Sequence, residues 1–479
     1  MSDSDIERLR DAIDHAWDEA RNFGLDPFPT HFELVPATIM YEFASYSLPG
    51  RFSHWTHGKA YHRQKMQYDF GLSKIYEMVV NTNPSYAFLM DMNNLLQNTF
   101  VAAHVFGHTD FFKNNAYFQH TSRRMIDKVS IHAERIAKYE FDHGKAEVER
   151  FLDAVLSIQE HVDYNLLIRE YEPEKKEEKP VTKATGEYDD LWGLETKARK
   201  AEEEREKLSR KSPKFPEKPE KDILLFLLRY APHLQAWQRD IIEIVRTEML
   251  YFVPQMRTKT MNEGWASLWH SRIMRRLGEA GVISDSETVE FAQLHSGVLS
   301  PSRTYLNPYY VGFKVFEDIE QRWNNPTKEE QERLRRKPEQ GLQKLFEVRE
   351  MENDVSFLRN YLTEDLIKDL DLYLYKKEGD EWVIVEKNWE KVRDGIVASM
   401  TNFGSPYLVV DNGDYRGNRE LYIKHLYEGN ELDMIYAEKT LQHVHLLWGR
   451  PVHLETLYEG KRILLSYDGE RNTKSTIEK

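Results

Sequence analysis

The chain has 479 residues, 40% hydrophobic and 12% aromatic, which is ample for packed interiors and longer than one typical core accommodates. Its formal net charge of −14 argues against a nucleic-acid-binding body, because phosphate affinity comes from lysine and arginine. No cysteine is present, which excludes disulfides, thiolate chemistry and cysteine-ligated zinc.

The opening stretch MSDSDIERLRDAIDHAWDEA reads as an acidic amphipathic helix rather than a signal peptide, and no apolar run approaches membrane-spanning length. A soluble, cytoplasmic protein with no membrane span is the expectation. From Asp5 to about Glu170 the apolar residues recur mostly at helical spacing, as Phe151, Leu152, Val155, Leu156, Ile158 and Val162 do. Within this stretch, YSLPGRFSHWTHGKAYHRQK gathers His54, His57, Lys59, His62 and Arg63. Such a cluster either lines a mouth that attracts acidic substrate or is an exposed loop.

The segment LLQNTFVAAHVFGHTDFFKNN sets His104 and His108 four positions apart in an apolar helical stretch. Residues i and i+4 project from one helix face a turn apart, the spacing that lets two imidazoles chelate one divalent metal. Two core histidines satisfied by neighbouring Asn and backbone groups would look the same. Between residues 171 and 221 the composition shifts to charged runs such as EPEKKEEKP and KARKAEEEREKLSRK, a solvated insertion expected to be part disordered and part loose helix.

A strong apolar pattern returns from Asp222 to about Leu345 and again reads as helices. Within it, MNEGWASLWH begins a helix on which Glu263 offers a carboxylate, the third ligand of a His₂Glu zinc site. Val105 lies beside His104 and cannot accept a proton, so any general base must come from elsewhere. Asp110, Glu248 and Glu243 are candidates, and His270 ranks first because positions i and i+7 share a helix face with Glu263. Further on, LHSGVLSPSRTYLNPYYVGFKVFEDIEQRW holds His295 and Arg303, which can grip an anionic substrate group, and Asn307 beside them. Asn307 can equally be the N-cap of a helix starting at Pro308, with the aromatics packed inward.

After a charged stretch the pattern turns to alternation. LYLYKK, EWVIVEK, PYLVVDNG, ELYIKHLY, PVHLETLY and KRILLSYDG read as strands, with NWEKVRDGIVASM and DMIYAEKTLQHVHLLW as helices. His443, His445 and His453 lie here at a helix-to-strand transition without a carboxylate in register, which favours a structural role. The expected organisation is a helical domain from residues 1–170 and 222–345, the insertion at 171–221, and a small α+β domain over 350–479.

At Glu263, Gly264, Trp265 and Ala266, and at the pair Gly107 and His108, the chain resembles helical zinc metallopeptidases that carry their glutamate ligand in an EGWA stretch. That resemblance implies a mainly α, zincin-like (gluzincin-like) domain holding Zn²⁺. It also implies that Tyr309, with Gly312 one turn on, belongs to the element that stabilises a tetrahedral oxyanion in those enzymes. The longer strings HVFGHTDFFKNN, PQMRTKTMNEGWASLWH and LNPYYVGFKVFEDIEQRW, in this order, resemble the SpoVR family, stage V sporulation protein R. This second resemblance implies a role in spore cortex formation or in a stress response. There it implies a PrkA-type serine protein kinase and associated operon proteins as partners, and a peptide or peptidoglycan-like substrate. A non-catalytic scaffold with a peptidase-like fold is the alternative it leaves open.

Overall fold

The computed structural model describes residues 3–69, 77–166, 214–302, 305–379 and 381–477. These fall into two compact units, one formed by Met1–Glu149 with Thr247–Ser405, the other by Arg150–Arg246 with Pro406–Lys479. The fold is mainly helical, with a small sheet near the C-terminus.

At the centre of the first unit lies the helix Leu95–Asn114, called here the histidine helix. Asn94 caps it, accepting from Gln97 N at 2.8 Å while the Gln97 side chain reaches back to Asn94 N. This reciprocal box satisfies two of the free N–H groups that begin every helix. Every residue from Asn98 to Phe112 is buried, and a helix enclosed on all sides belongs in a core. Against it packs the glutamate helix, Lys259–Glu279, whose Trp265 and Trp269 are fully buried. That helix has no side-chain cap of its own. Instead Asp354 accepts from both Thr260 N and Met261 N at 2.9 Å. The third member is the tyrosine helix, Pro308–Asn324, capped by Asn307 with proline in its first turn.

A three-stranded sheet flanks this bundle. β1 (Thr30–Val35) runs parallel to the central β3 (Ser85–Met90), and β2 (Glu77–Val80) pairs antiparallel with β3 on its other side. The helical reading of the first 170 residues did not include these strands. The run SYAFLM in β3 is apolar almost throughout and buried along nearly its whole length, and a short apolar run of that kind carries no periodicity to separate strand from helix. The hairpin of β4 (Leu374–Glu378) and β5 (Glu381–Glu386) and the helix Trp389–Met400 also belong to this unit.

The second unit is built on a five-stranded sheet in the order β10 (Asn472–Thr476), β9 (Lys461–Tyr467), β8 (Val452–Tyr458), β7 (Glu420–His425), β6 (Leu408–Tyr415). β7 and β8 are parallel and the helix Met434–Trp448 makes the crossover between them, as parallel neighbours require. The strands read from alternation are all present, and β10 adds one that was not anticipated. Of the charged segment 171–221, only 214–221 lies among the described residues, and there Glu220 bridges to Val410.

His161 is buried in the second unit, and burial, followed by the charges of Lys221 and His425, lowers its pKa to about 4. The folded state therefore holds it neutral, while the unfolded chain protonates it near 6.5. A depressed histidine contributes stability above the unfolded value and loses it as pH falls through the folded one. Protection of β7 and β8 amides against hydrogen exchange should decline between about pH 6.5 and 4, and His161→Leu should flatten part of that decline.

Candidate metal centre

Three helices meet here backbone to backbone. A Cβ added at Gly107 would stand 2.6 Å from the Ala266 Cα, one at Gly264 would stand 2.3 Å from the carbonyl carbon of Gly312, and one at Gly312 would stand 2.1 Å from the Thr260 oxygen. No side chain fits at these crossings. The histidine, glutamate and tyrosine helices can therefore approach closely enough for side chains flanking the crossings to converge.

What converges is a cluster of ligand atoms. The single oxygen Oε2 of Glu263 lies 3.5 Å from His104 Nε2 and 3.4 Å from His108 Nε2. Glu77, at the start of β2, places Oε1 3.5 Å from His104 Nε2. Glu77, His104 and His108 offer ligand atoms within 4.8 Å of one another and form a candidate metal-binding triad. Two ligand atoms each about 2.0–2.1 Å from a tetrahedral ion stand about 3.3–3.4 Å apart. The contacts to Glu263 match that edge and are longer than the roughly 2.9 Å of a good N–H···O bond. His104 Nε2 and Glu263 Oε2 are buried and have no hydrogen-bond partner, an arrangement costly for polar atoms unless something else satisfies them. The donor set of two imidazoles and two carboxylates, with no sulfur, fits a divalent cation such as Zn²⁺.

The far nitrogen of each imidazole is also engaged. His108 Nδ1 lies 2.9 Å from Asn262 Oδ1, an acceptor that fixes the proton on Nδ1 and frees the lone pair of Nε2. His104 Nδ1 lies 2.8 Å from His270 Nδ1, and His270 Nε2 lies 2.8 Å from His295 Nδ1. The Tyr309 ring stacks on His104 at 6.0 Å between centroids and 26° between planes. Glu77 and Glu263 retain 19% and 18% of their side-chain exposure, so the cluster opens towards solvent on the carboxylate side.

The electrostatics follow from crowding charge into a largely dry site. Burial pushes the Glu77 carboxyl up, against the opposing pull of His104 and His108. Burial would raise Glu263 too, but the imidazoles of His104 and His108 set against it outweigh burial and hold that carboxyl well below its usual range. His108 moves the opposite way: burial lowers it, and Glu263 more than compensates. The Glu263 charge, with burial, keeps the Tyr309 phenol protonated well above its ordinary range.

Glu77 was not among the residues singled out from sequence. Its only signal is a carboxylate opening the strand EMVV, a local pattern without ligand spacing, and it is the pairing of β2 with β3 that sets it beside the histidine helix.

The other candidates from sequence have these surroundings. Asp110 is a brace rather than a base: its carboxylate accepts from Trp265 Nε1 at 2.9 Å and Asp26 N at 2.8 Å, with Arg349 at 3.6 Å. Glu248 is fully buried and committed to Arg51 at 2.6 Å and His132 at 3.0 Å. Asn307 accepts from Tyr309 N and donates to Val298 O and Ser300 O, so its amide is occupied in starting the tyrosine helix rather than in holding substrate. His270 is fully buried and bonded at both nitrogens, which leaves it no free atom with which to act as a base. His295 is the second link of that chain, and Arg303 lies outside the described residues. Of the cluster at residues 54–63, His54 and His57 are buried while Lys59, His62 and Arg63 are exposed. His453 bonds Ser466 and Glu420 within the second unit's sheet.

A family model described as SpoVR like protein matches residues 3–405, and one described as SpoVR-like C-terminal domain matches residues 406–459. The chain belongs to the SpoVR-like family. It is 29% identical over 479 residues to a protein of Escherichia coli (strain K12) described as uncharacterized protein YcgB, covering 93% of this chain and 91% of that one. No solved structure matches it.

The helix crossings give a direct test. Gly264→Ala and Gly312→Ala each force backbone apart, since the obstructing atoms are main-chain atoms with no rotamer to yield. Each should lower stability by about 3 kcal/mol or more, the upper part of the overpacking range, in denaturant titrations. Gly58→Ala, where nothing lies within 4 Å, should cost little.

Proposed function

We propose that this member of the SpoVR-like family is a metal-dependent hydrolase or acyl-transfer enzyme acting on amide bonds, with peptidoglycan-type peptides as the substrate class and Zn²⁺ as the ion. The observation that carries this reading is the pair of buried, unpartnered ligand atoms, His104 Nε2 and Glu263 Oε2, at ligand-edge separation with His108 Nε2 beside them. His104, His108 and Glu263 would hold the ion, because Oε2 of Glu263 lies 3.5 and 3.4 Å from the two imidazoles, whereas Glu77 makes its 3.5 Å contact with His104. A bound Zn²⁺ supplies Lewis acidity and a lowered pKa for water.

The surrounding residues suit that chemistry. Tyr309 keeps its proton and, beside the carboxylates, can donate to an oxygen on which negative charge develops. Val105 is fully buried in the core and offers nothing at the position where HExxH enzymes carry their base. Glu77 is the carboxylate at hand to take its place. Burial pushes its carboxyl up from the ordinary value, the direction that makes a carboxylate a stronger base. Two ligands on one helix and a third on an adjacent helix also support reading the helical unit as zincin-like.

Purified full-length protein should contain about one divalent ion per chain by elemental analysis, and His104→Ala and Glu263→Ala should each abolish it. A wild-type protein that takes up no stoichiometric ion, even after reconstitution, overturns the reading. Glu77→Gln should retain the ion yet reduce amide cleavage by about 10²–10⁴-fold. Loss of the ion in that variant would instead make Glu77 a ligand.

Val105 favours a second reading, a scaffold or regulatory partner of a PrkA-type kinase system in sporulation or stress that retains a peptidase-like fold without catalysis. On that reading His104→Ala leaves the cellular phenotype intact, whereas removing residues 406–479 abolishes it.

A further inference from the structure

His104, His270 and His295 form a row of three imidazoles joined by two ring-nitrogen contacts of 2.8 Å. Each contact joins two nitrogens, so each must contain one proton, and the direction of one bond dictates the next. If His104 carries its proton on Nδ1, it donates to His270 Nδ1, which is then the acceptor. His270 carries its proton on Nε2 and donates to His295 Nδ1. The reverse order places a proton on His104 Nε2, the atom aimed at Glu263. A neutral imidazole has one donor and one acceptor nitrogen, so no mixed arrangement satisfies both contacts.

We propose that His270 and His295 are positioning residues that lock His104 in the Nδ1–H tautomer, presenting the lone pair of Nε2 to a divalent ion, with His295 as the outer end of the chain. The inference rests on the metal-site reading above and concerns how the protein prepares that site. The surroundings hold the chain rigid. Phe100 packs edge-on to His270 at 4.6 Å, Phe291 packs edge-on to it at 6.2 Å and stacks on His295 at 5.7 Å, and Phe313 meets His295 edge-on at 5.6 Å. His270 is fully buried and His295 half-buried, so solvent meets the chain at the His295 end.

The arrangement is unusual in kind. Ligand histidines generally donate to a carboxylate, a backbone carbonyl or water. Here the acceptor is itself an imidazole, which passes the requirement one residue further. A fixed tautomer two residues from the ligand thus becomes a condition for the ligand's own. The other ligand, His108, reaches the same tautomer by a shorter route, donating to Asn262 Oδ1.

The test uses full-length protein labelled with ¹⁵N at histidine, first without metal and then titrated with Zn²⁺ against a competing chelator. Ring ¹⁵N spectra of the metal-free wild type should show His104 protonated at Nδ1 alone, assigned by its loss in His104→Gln. In His270→Phe, His104 should become a mixture of tautomers, and Zn²⁺ affinity should fall by about 10–100-fold. His295→Phe should produce a smaller loss. Because the outer ring acts only through the inner one, the double variant should bind no more weakly than His270→Phe alone. Unchanged thermal midpoints or repacking controls such as Phe291→Leu separate these effects from unfolding.

A wild-type His104 protonated at Nε2 overturns the proposal, as do additive losses in the double variant. A wild type that shows the Nδ1–H tautomer but binds no Zn²⁺ overturns the metal reading on which the proposal rests, while leaving the chain's geometry as found.

Discussion

The close approach of three helices at Gly107, Gly264 and Gly312 is the constraint on which the rest of the first unit depends. Helices whose contact positions carry ordinary side chains pack with axes about 8–10 Å apart. Here the backbone of the glutamate helix touches the tyrosine helix at Gly312 and the histidine helix at Gly107, with Ala266 the facing residue in the second case. A methyl group at Gly264 or Gly312 would meet main-chain atoms. The glycine of the EGWA stretch is therefore required by packing, and it stands next to Glu263 because the point of closest approach is also where the carboxylate must reach across.

Around that crossing, the buried polar groups are placed to support the same geometry. Trp265 follows Gly264, fills the core against Trp269, Phe316 and Phe346, and donates its indole N–H to Asp110 on the histidine helix. Asp354 holds the first turn of the glutamate helix through two backbone N–H groups, and burial raises its carboxyl to about 7 despite those bonds. Asn262, one residue before Glu263, orients His108. Five consecutive positions, Asn262 to Ala266, thus supply a ligand orienter, a carboxylate, a crossing glycine, an aromatic brace and a small contact residue. Their adjacency explains why this stretch is the most informative in the sequence.

What the sequence made legible follows the same logic. The His104 and His108 spacing, the Glu263 carboxylate and the capping role of Asn307 are encoded within single helices, where local periodicity determines which face a residue occupies. Glu77 is not, because it reaches the cluster through strand pairing, and nothing in KIYEMVV reports that β2 lies beside the histidine helix. The surroundings of the other acidic candidates were hidden for a related reason. Asp110 and Glu248 are acids at apparently helical spacing, but each is bound by a partner distant in sequence, Trp265 and Asp26 for one, Arg51 and His132 for the other. In the second unit, β6 to β9 each bury a run of three or more consecutive residues and carry the apolar residues that mark them, whereas β10, with NTKST exposed along most of its length, carries no apolar pattern to find.

The charge balance of the cluster bears on why its outer partners are imidazoles and an amide. Glu77 and Glu263 already place two carboxylates in a largely dry space, and when both are ionised their charge of −2 is what one divalent cation would balance. A carboxylate behind His104, the common partner of a metal-bound imidazole, would add a further negative charge and leave the loaded site with an uncompensated buried one. Neutral His270 and neutral Asn262 orient the two rings as well as a carboxylate would, because orientation needs only an acceptor lone pair. The second carboxylate, Glu77, lies beside His104 on the side that retains solvent exposure. On the proposed reading it would be the carboxylate available for proton transfer, since Val105 is fully buried and has no ionisable group.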